Sequence, residues 1–529
     1  MASTESASLP GWATNTTLEF RRSRMLVLLA FREGRYAYLP KSNDVVELSP
    51  VLFDVLSQWQ RGASVMALRE AFRRTGLPSS VAKQCVRDIR LLRATGYLTP
   101  DRTLTGAEAS RQFDRYLAHR PRNLMLFVTE ACNLKCLYCY EIPNGVHVRA
   151  RSLKVSTAKA VIDAYLARAD SRNDLTITFF GGEPLLRFDA IKQSVEYALQ
   201  AGASQGKNIG FAMTTNLTLM TDEMRDFLVS HRFNVMVSMD GDRSVHDAQR
   251  PRHDGAGTYD LVASHLRELL RAQRRAGVRP ARLRATVMPG SDPLAAERHL
   301  GSLGALNVMM GSASGGAREP IWAEQADGGV DARIRDDTHS RALEGHLREF
   351  ADLLDSGRVS DAMTTLLPSF STALRELHDQ LVSPLVREIA TPSLCGVCRN
   401  MLAVTPGGEY YPCHRYVGME KYQLGTVVDG LDATKVKSYY AAVYASFAEK
   451  CAKCWARSLC GGQCAWMQSR EDGTVTTPDE AGCQGIRSGY WRSLGFYSWL
   501  LTRHPGVLRT IVGPDLDRLR PDGAVCSQP

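Results

Sequence analysis

The chain has no apolar run long enough to cross a bilayer. Its longer stretches, Met25–Phe31 and Leu124–Val128, fall far short of the roughly 20 residues a spanning helix needs, so no membrane association is expected. It also has no basic start followed by an apolar stretch, since it opens Met-Ala-Ser-Thr-Glu-Ser. That excludes a secretory signal and makes a cytoplasmic location the expectation. Aromatics are 8 % and charged residues 23 %, near the globular average, which argues against wholesale disorder. Nucleic-acid signals are missing too. The net charge is +9, and Arg271, Arg274, Arg275, Arg279, Arg282 and Arg284 form a basic run. No interleaved aromatics and no recognisable binding fold accompany that run, so it reads as a solvated helix end leading into a strand.

Cysteine, by contrast, is plentiful and clustered. Of thirteen cysteines, eleven fall in two groups, 132–139 and 395–483, while Cys85 and Cys526 stand apart as structural or incidental. A secreted disulfide scaffold would be short and would lack the long helical stretches found here. Clustered cysteines in such a chain point to metal or iron–sulfur ligation.

At 529 residues the chain has room for about three or four domains. Residues 1–24 read as a flexible tail. In 25–105, strand candidates Met25–Phe31, Arg35–Leu39 and Val45–Leu48 precede helices Pro50–Gln60, Ser64–Arg74 and Ser79–Ala94, a winged-helix-like order. Ser49 followed by Pro50 is a helix-start signal. Residues 118–330 alternate strands and helices, with strands at Leu124–Thr129, Leu175–Phe180, Ile209–Thr214, Val235–Met239, Leu283–Met288 and Leu306–Met310. Helices Ser156–Arg168 and Thr258–Ala276 carry apolar faces between them. Six such units predict a parallel sheet, because parallel neighbours need crossover helices. The fold class is therefore α/β, a partial (β/α)6 TIM-like barrel with chemistry at its C-terminal strand ends. Within it, 311–330 is a Gly, Ala and Ser rich loop. Residues 331–394 read as a helical bridge or insert, 395–490 as a Cys-rich domain that needs metal to hold together, and 491–529 as a C-terminal extension.

The first cysteine group reads Cys132-x3-Cys136-x2-Cys139, directly after the first barrel strand. Three thiolates can hold three irons of a cubane and leave the fourth open to a small molecule. Structural zinc normally takes four Cys or His ligands, and no fourth is obvious nearby. Phe180-Gly181-Gly182-Glu183-Pro184 follows the second strand, Thr215-Asn216 the third, and Ser238-Met239-Asp240-Gly241 the fourth, with His246-Asp247 and Arg250-Pro251 beyond. These runs resemble the radical S-adenosylmethionine (radical SAM) superfamily. The resemblance implies a [4Fe–4S] cluster whose open iron chelates the methionine part of S-adenosylmethionine. Reductive cleavage then gives methionine and a 5′-deoxyadenosyl radical. It also implies a cofactor pocket of Tyr138, Gly181, Gly182, Glu183, Asn216, Ser238, Asp240 and Arg250. Glu183 would bond the methionine ammonium, and local loop bonding is the alternative for His246 and Asp247.

The second group runs Cys395-x2-Cys398, Gly408-x4-Cys413, Cys451-x2-Cys454-x5-Cys460-x3-Cys464 and Cys483. It resembles the SPASM domain, which carries two auxiliary [4Fe–4S] clusters, for three clusters in all. The resemblance implies Cys395, Cys413 and Cys464, with Cys398 as fourth, on auxiliary cluster I. It implies Cys451, Cys454, Cys460 and Cys483 on auxiliary cluster II. Zinc stays open as an alternative, since thiolate sites accept both metals. Cys413-His414-Arg415-Tyr416 carries His where sulfatase-activating relatives have Asp, and His414 can take a proton near neutral pH. The stretch is more similar to maturases that cross-link ribosomal peptides, including that of quinohemoprotein amine dehydrogenase, and 25–105 resembles their peptide-recognition element. The implied partners are a peptide or protein substrate with a leader segment and an external reductant of flavodoxin or ferredoxin type. Formylglycine formation on a sulfatase and a non-catalytic iron–sulfur electron carrier are the competing functions.

Overall fold

The computed structural model describes residues 26–40, 44–60, 80, 87, 122–142, 145–169, 175–288, 291–312, 332–382, 401–452 and 454–513. The 1–24 tail, helix Ser64–Arg74, most of Ser79–Ala94, and Cys85, Cys395, Cys398 and Cys526 lie outside them.

Three short strands, β1 (Val27–Phe31), β2 (Gly34–Leu39) and β3 (Asp44–Glu47), form an antiparallel sheet in that order. Helix Pro50–Gln60 follows, and the Ser49 hydroxyl accepts from the Leu52 amide at 3.2 Å, the capping role its position predicts. The two helices that would complete a winged helix fall outside the described residues.

The main sheet begins with β4 (Asn123–Thr129), β5 (Leu175–Gly181), β6 (Ile209–Thr215), β7 (Asn234–Ser238), β8 (Arg282–Val287) and β9 (Val308–Ser312). All six are parallel and neighbour one another in chain order, as the alternation of strands and helices predicts. The last strand starts two residues later than its apolar pattern suggests, because Leu306 is 70 % exposed in the approach to it. The longer of the two helices between β7 and β8 spans Tyr259–Arg275. It ends before Gly277 at φ +60°, a left-handed terminator that glycine adopts freely.

The sheet has eight strands instead of six. β10 (Met401–Val404) pairs parallel to β4, and β11 (Tyr410–Tyr411) closes that edge antiparallel to β10. The Cys-rich segment thus covers the open side of β4. The sheet stays open, with β11 and β9 at its edges.

Two large cores result. One lies around the main sheet and takes in Tyr411, Cys413, Tyr416 and Trp466. The other joins β1 and β2 to helices Ala332–Asp355, Pro368–Val382, Glu480–Arg503 and Pro505–Val512, with Trp455 and Leu459. The helical bridge and the C-terminal extension, separate segments in the sequence reading, are here one packed body with the N-terminal strands. Among the described residues no helix is long and apolar enough to cross a membrane.

Candidate functional site

The cysteine loop leaves the C-terminal end of β4, where a parallel sheet gathers its chemistry. It is zipped to the segment after β7: Lys135 N donates to Pro251 O at 2.9 Å and Leu137 N to Gln249 O at 3.1 Å. Its other side rests on the β5 turn. Gly182 N donates to Thr129 O at 3.0 Å and Glu183 N to Ala131 O at 2.9 Å. A Cβ on Gly181 would fall 2.1 Å from Thr129 O, and one on Gly182 would fall 2.2 Å from Ala131 O. Both glycines therefore let the turn approach the loop backbone.

Glu183 is buried and ties three strand ends together. It accepts from Leu185 N at 3.0 Å, from the Thr215 hydroxyl at 2.7 Å and from Asn216 N at 2.7 Å. Burial pushes its carboxyl up to about 6 against these bonds. One lone-pair direction is left on Oε2, room for a single further donor. Asn216 donates to Asn133 Oδ1 of the cysteine loop at 3.0 Å and accepts from Thr218.

A second buried network stands opposite. Asp240 accepts from Arg250 Nε at 2.8 Å, from the Tyr138 hydroxyl at 2.5 Å and from Thr286 N at 2.9 Å. Arg250 also reaches Cys136 Sγ from Nη1 at 3.7 Å and lies over the Tyr138 ring. Arg250 and Tyr138 are thus bound to the cysteine loop itself. Ser238, at the end of β7, is half-buried. His246 bonds locally, to Asp240 N and the Thr258 hydroxyl. Asp247 accepts from Thr258 N and Tyr259 N at the helix start.

Cys132, Cys136 and Cys139 are free thiols. Burial pushes Cys132 up to about 12 and raises the other two as well. Buried thiolates need a cation beside them, which bound iron supplies. His147 adds Nε2 at 3.4 Å from Cys139 Sγ, while its Nδ1 bonds Glu130 O at 2.7 Å. Among the described residues no three Cys, His, Asp or Glu converge on a single-ion site. A cubane asks for less convergence, because each thiolate takes a different iron, so the donor set fits a cluster.

β11 leads into Cys413 and His414, and the ring contacts of His414 place it beside the cysteine loop. His414 packs on Phe180 at 4.9 Å and Tyr140 at 5.9 Å between ring centroids. Burial, then Arg415 and Arg284, push His414 down to about 3. Among the described residues its buried Nδ1 has no hydrogen-bond partner. Arg415 lies over Tyr140 and Trp466, two residues beyond Cys464. Farther out, Cys451, Cys454, Cys460 and Cys483 line one pocket, with Gln463 Nε2 3.4 Å from Cys483 Sγ.

Several organising residues carried no sequence signal. Glu130 is fully buried and held by Arg151, which also bonds Glu409 beyond β10 at 2.7 Å. The partners are up to 258 residues apart, so only the fold joins them.

Residues 126–298 match the family model described as the Radical SAM superfamily. This stretch is a radical SAM domain, of a family that takes a [4Fe–4S] cluster and S-adenosylmethionine. The chain is 35 % identical over 134 residues to an uncharacterized protein of Methanocaldococcus jannaschii, and spans only 43 % of that protein's length. It is 22 % identical over 355 residues to the cysteine-type anaerobic sulfatase-maturating enzyme of Clostridium perfringens, covering 65 % of this chain and 89 % of that one. The solved structure of native anSMEcpe with bound AdoMet and Cp18Cys peptide aligns with a TM-score of 0.54 at 19 % identity. That alignment covers 74 % of this chain and 99 % of the other, and shows a shared fold.

Proposed function

We propose that this chain is a radical SAM enzyme that modifies a ribosomally made peptide or protein, forming a thioether or other side-chain cross-link. One observation carries the reading. The Cys413-His414-Arg415 segment lies over the β4 and β5 strand ends, and the groups set against His414 among the described residues are aromatic or cationic, with no carboxylate. A formylglycine chemistry helped by an Asp at this position has no counterpart there.

In this reading Cys132, Cys136 and Cys139 hold the first cluster. Cys395, Cys398, Cys413 and Cys464 hold auxiliary cluster I, and Cys451, Cys454, Cys460 and Cys483 hold auxiliary cluster II. The clusters and S-adenosylmethionine, when bound, supply the electron and the 5′-deoxyadenosyl radical that removes a hydrogen from the peptide. The chain's own groups hold and shield that chemistry. Glu183 offers its remaining lone pair to the methionine ammonium. Gly181, Gly182, Asn216 and Ser238 line the cofactor side, and Asp240, Arg250 and Tyr138 fix the cysteine loop. Phe180, Tyr140 and Trp466 keep water from the reacting end. His414, packed against Tyr140 and Phe180, shapes the substrate wall. A flavodoxin or ferredoxin type donor supplies electrons.

The relationship to sulfatase-maturating enzymes keeps formylglycine formation as a second reading. Mass spectrometry of a co-expressed candidate peptide separates the two. Cross-linking removes two hydrogens within one peptide, whereas formylglycine made from Cys removes the sulfur. A product lacking sulfur overturns the first reading.

A further inference from the structure

Burial alternates along β8: Leu283 and Ala285 pack outward into the core, while Arg282, Arg284 and Thr286 are half-buried on the other face. Asp240 accepts from the Thr286 amide of this strand. Arg284 pairs in register with Ser238 of β7 and Met309 of β9. Its guanidinium lies across Gly311, where a Cβ would fall 2.3 Å from Nη2. A larger residue at 311 would push the guanidinium aside.

Arg415 is the charge that acts most strongly on Arg284, against weaker contributions from Tyr138 and Asp240, and His414 feels both arginines. The carboxylate within reach, Asp240, is already taken by Arg250, Tyr138 and the Thr286 amide. Among the described residues Arg284 donates no side-chain hydrogen bond and pairs with no acid. A guanidinium taken partly out of water without a partner is costly. A planar fork of donors matches a carboxylate best, and Lys cannot reproduce that geometry.

We propose that Arg284 is a specificity-determining residue that binds a carboxylate of the peptide, an acidic side chain, on the half-buried face of β8. The inference rests on the peptide-modifying reading. The chain's net charge of +9 favours the approach of such a substrate.

The test uses the full chain, prepared anaerobically with its clusters. Two capped synthetic peptides serve as probes, Ala-Gly-Cys-Ala-Asp-Gly-Ala and its Asn counterpart. Binding of each is measured in the presence of S-adenosylmethionine, together with the affinity for S-adenosylmethionine alone. The proposal predicts that wild type binds the Asp peptide at least tenfold tighter than the Asn peptide. Arg284→Met abolishes that preference, Arg284→Lys keeps part of it, and S-adenosylmethionine affinity changes less than twofold. Gly311→Ala, which crowds the same guanidinium, weakens the preference as well and stands in if Arg284→Met does not fold. Equal binding of the two peptides by wild type, or none, overturns the proposal. So does an Arg284→Met variant that loses affinity for S-adenosylmethionine, since the residue then belongs to the cofactor pocket. Failure of the enzyme reading shows separately, as absence of 5′-deoxyadenosine from wild type.

Discussion

Asp240 accepts from Tyr138, Arg250 and the Thr286 amide while fully shielded from water. Removing it strands Arg250 beside the cysteine loop. Breaking a buried pair on one side costs about 3–5 kcal/mol, so Asp240→Ala lowers unfolding stability by that order in anaerobic urea titrations, and a loss under ~1 kcal/mol contradicts the network. His246, six residues on, titrates instead. Burial, then the Arg250 charge, lower its pKa from 6.5 to about 4. The folded state keeps it neutral while the unfolded state takes a proton below pH 6.5, so stability present above pH 6.5 is lost as pH falls toward 4. The full loss is about 3 kcal/mol. His246→Gln flattens that slope between pH 6.5 and 5, and an unchanged slope assigns the loss elsewhere. At this scale the Ser-x-Asp-Gly and Arg-Pro runs were legible as types of residue. What Asp240 and Arg250 bond was not, because Tyr138 lies 102 residues away from its partner. The downward pKa shift of His414 was illegible too, since it follows mainly from burial, and Arg284 acts on it from a distant strand.

The cysteine loop, the Gly-Gly-Glu turn and the Arg250 segment form one element by backbone bonding. Gly181 is its tightest point, with φ +135° and no room for a Cβ. Gly181→Ala is expected to dislodge the loop and, under the proposed set of three clusters, remove roughly a third of the bound iron. Iron and sulfide analysis of anaerobically purified protein checks this, and full iron content contradicts it. The strand and helix alternation of 118–330 could be read from periodicity, to within about two residues at most ends. β10 and β11 could not. Met401–Val404 is four residues long and Tyr410–Tyr411 two. Such short runs carry no period, and only the exposed side of β4 gives them a partner.

Across the whole molecule, the N-terminal strands share a core with the C-terminal helices. Trp491 Nε1 donates to Leu28 O at 3.0 Å, and Phe31 meets Phe496 edge-on at 5.2 Å. Composition gave no sign of this contact between chain ends. Leu29 is fully buried in that core, and truncating such a leucine costs about 2–5 kcal/mol. Leu29→Ala therefore reduces hydrogen-exchange protection of the Leu494–Leu500 amides by that amount, whereas an independent N-terminal lobe leaves it unchanged. His414, next to Cys413 of the second cysteine group, meets Tyr140 of the cysteine loop, and the account depends on the first group. Replacing Cys132, Cys136 and Cys139 together by alanine, then adding S-adenosylmethionine and a strong reductant under nitrogen, tests it most directly. The prediction is that wild type releases 5′-deoxyadenosine and methionine while the variant releases none yet retains iron on its remaining cysteines. Undiminished 5′-deoxyadenosine from the variant, or zinc in place of iron in wild type, contradicts it.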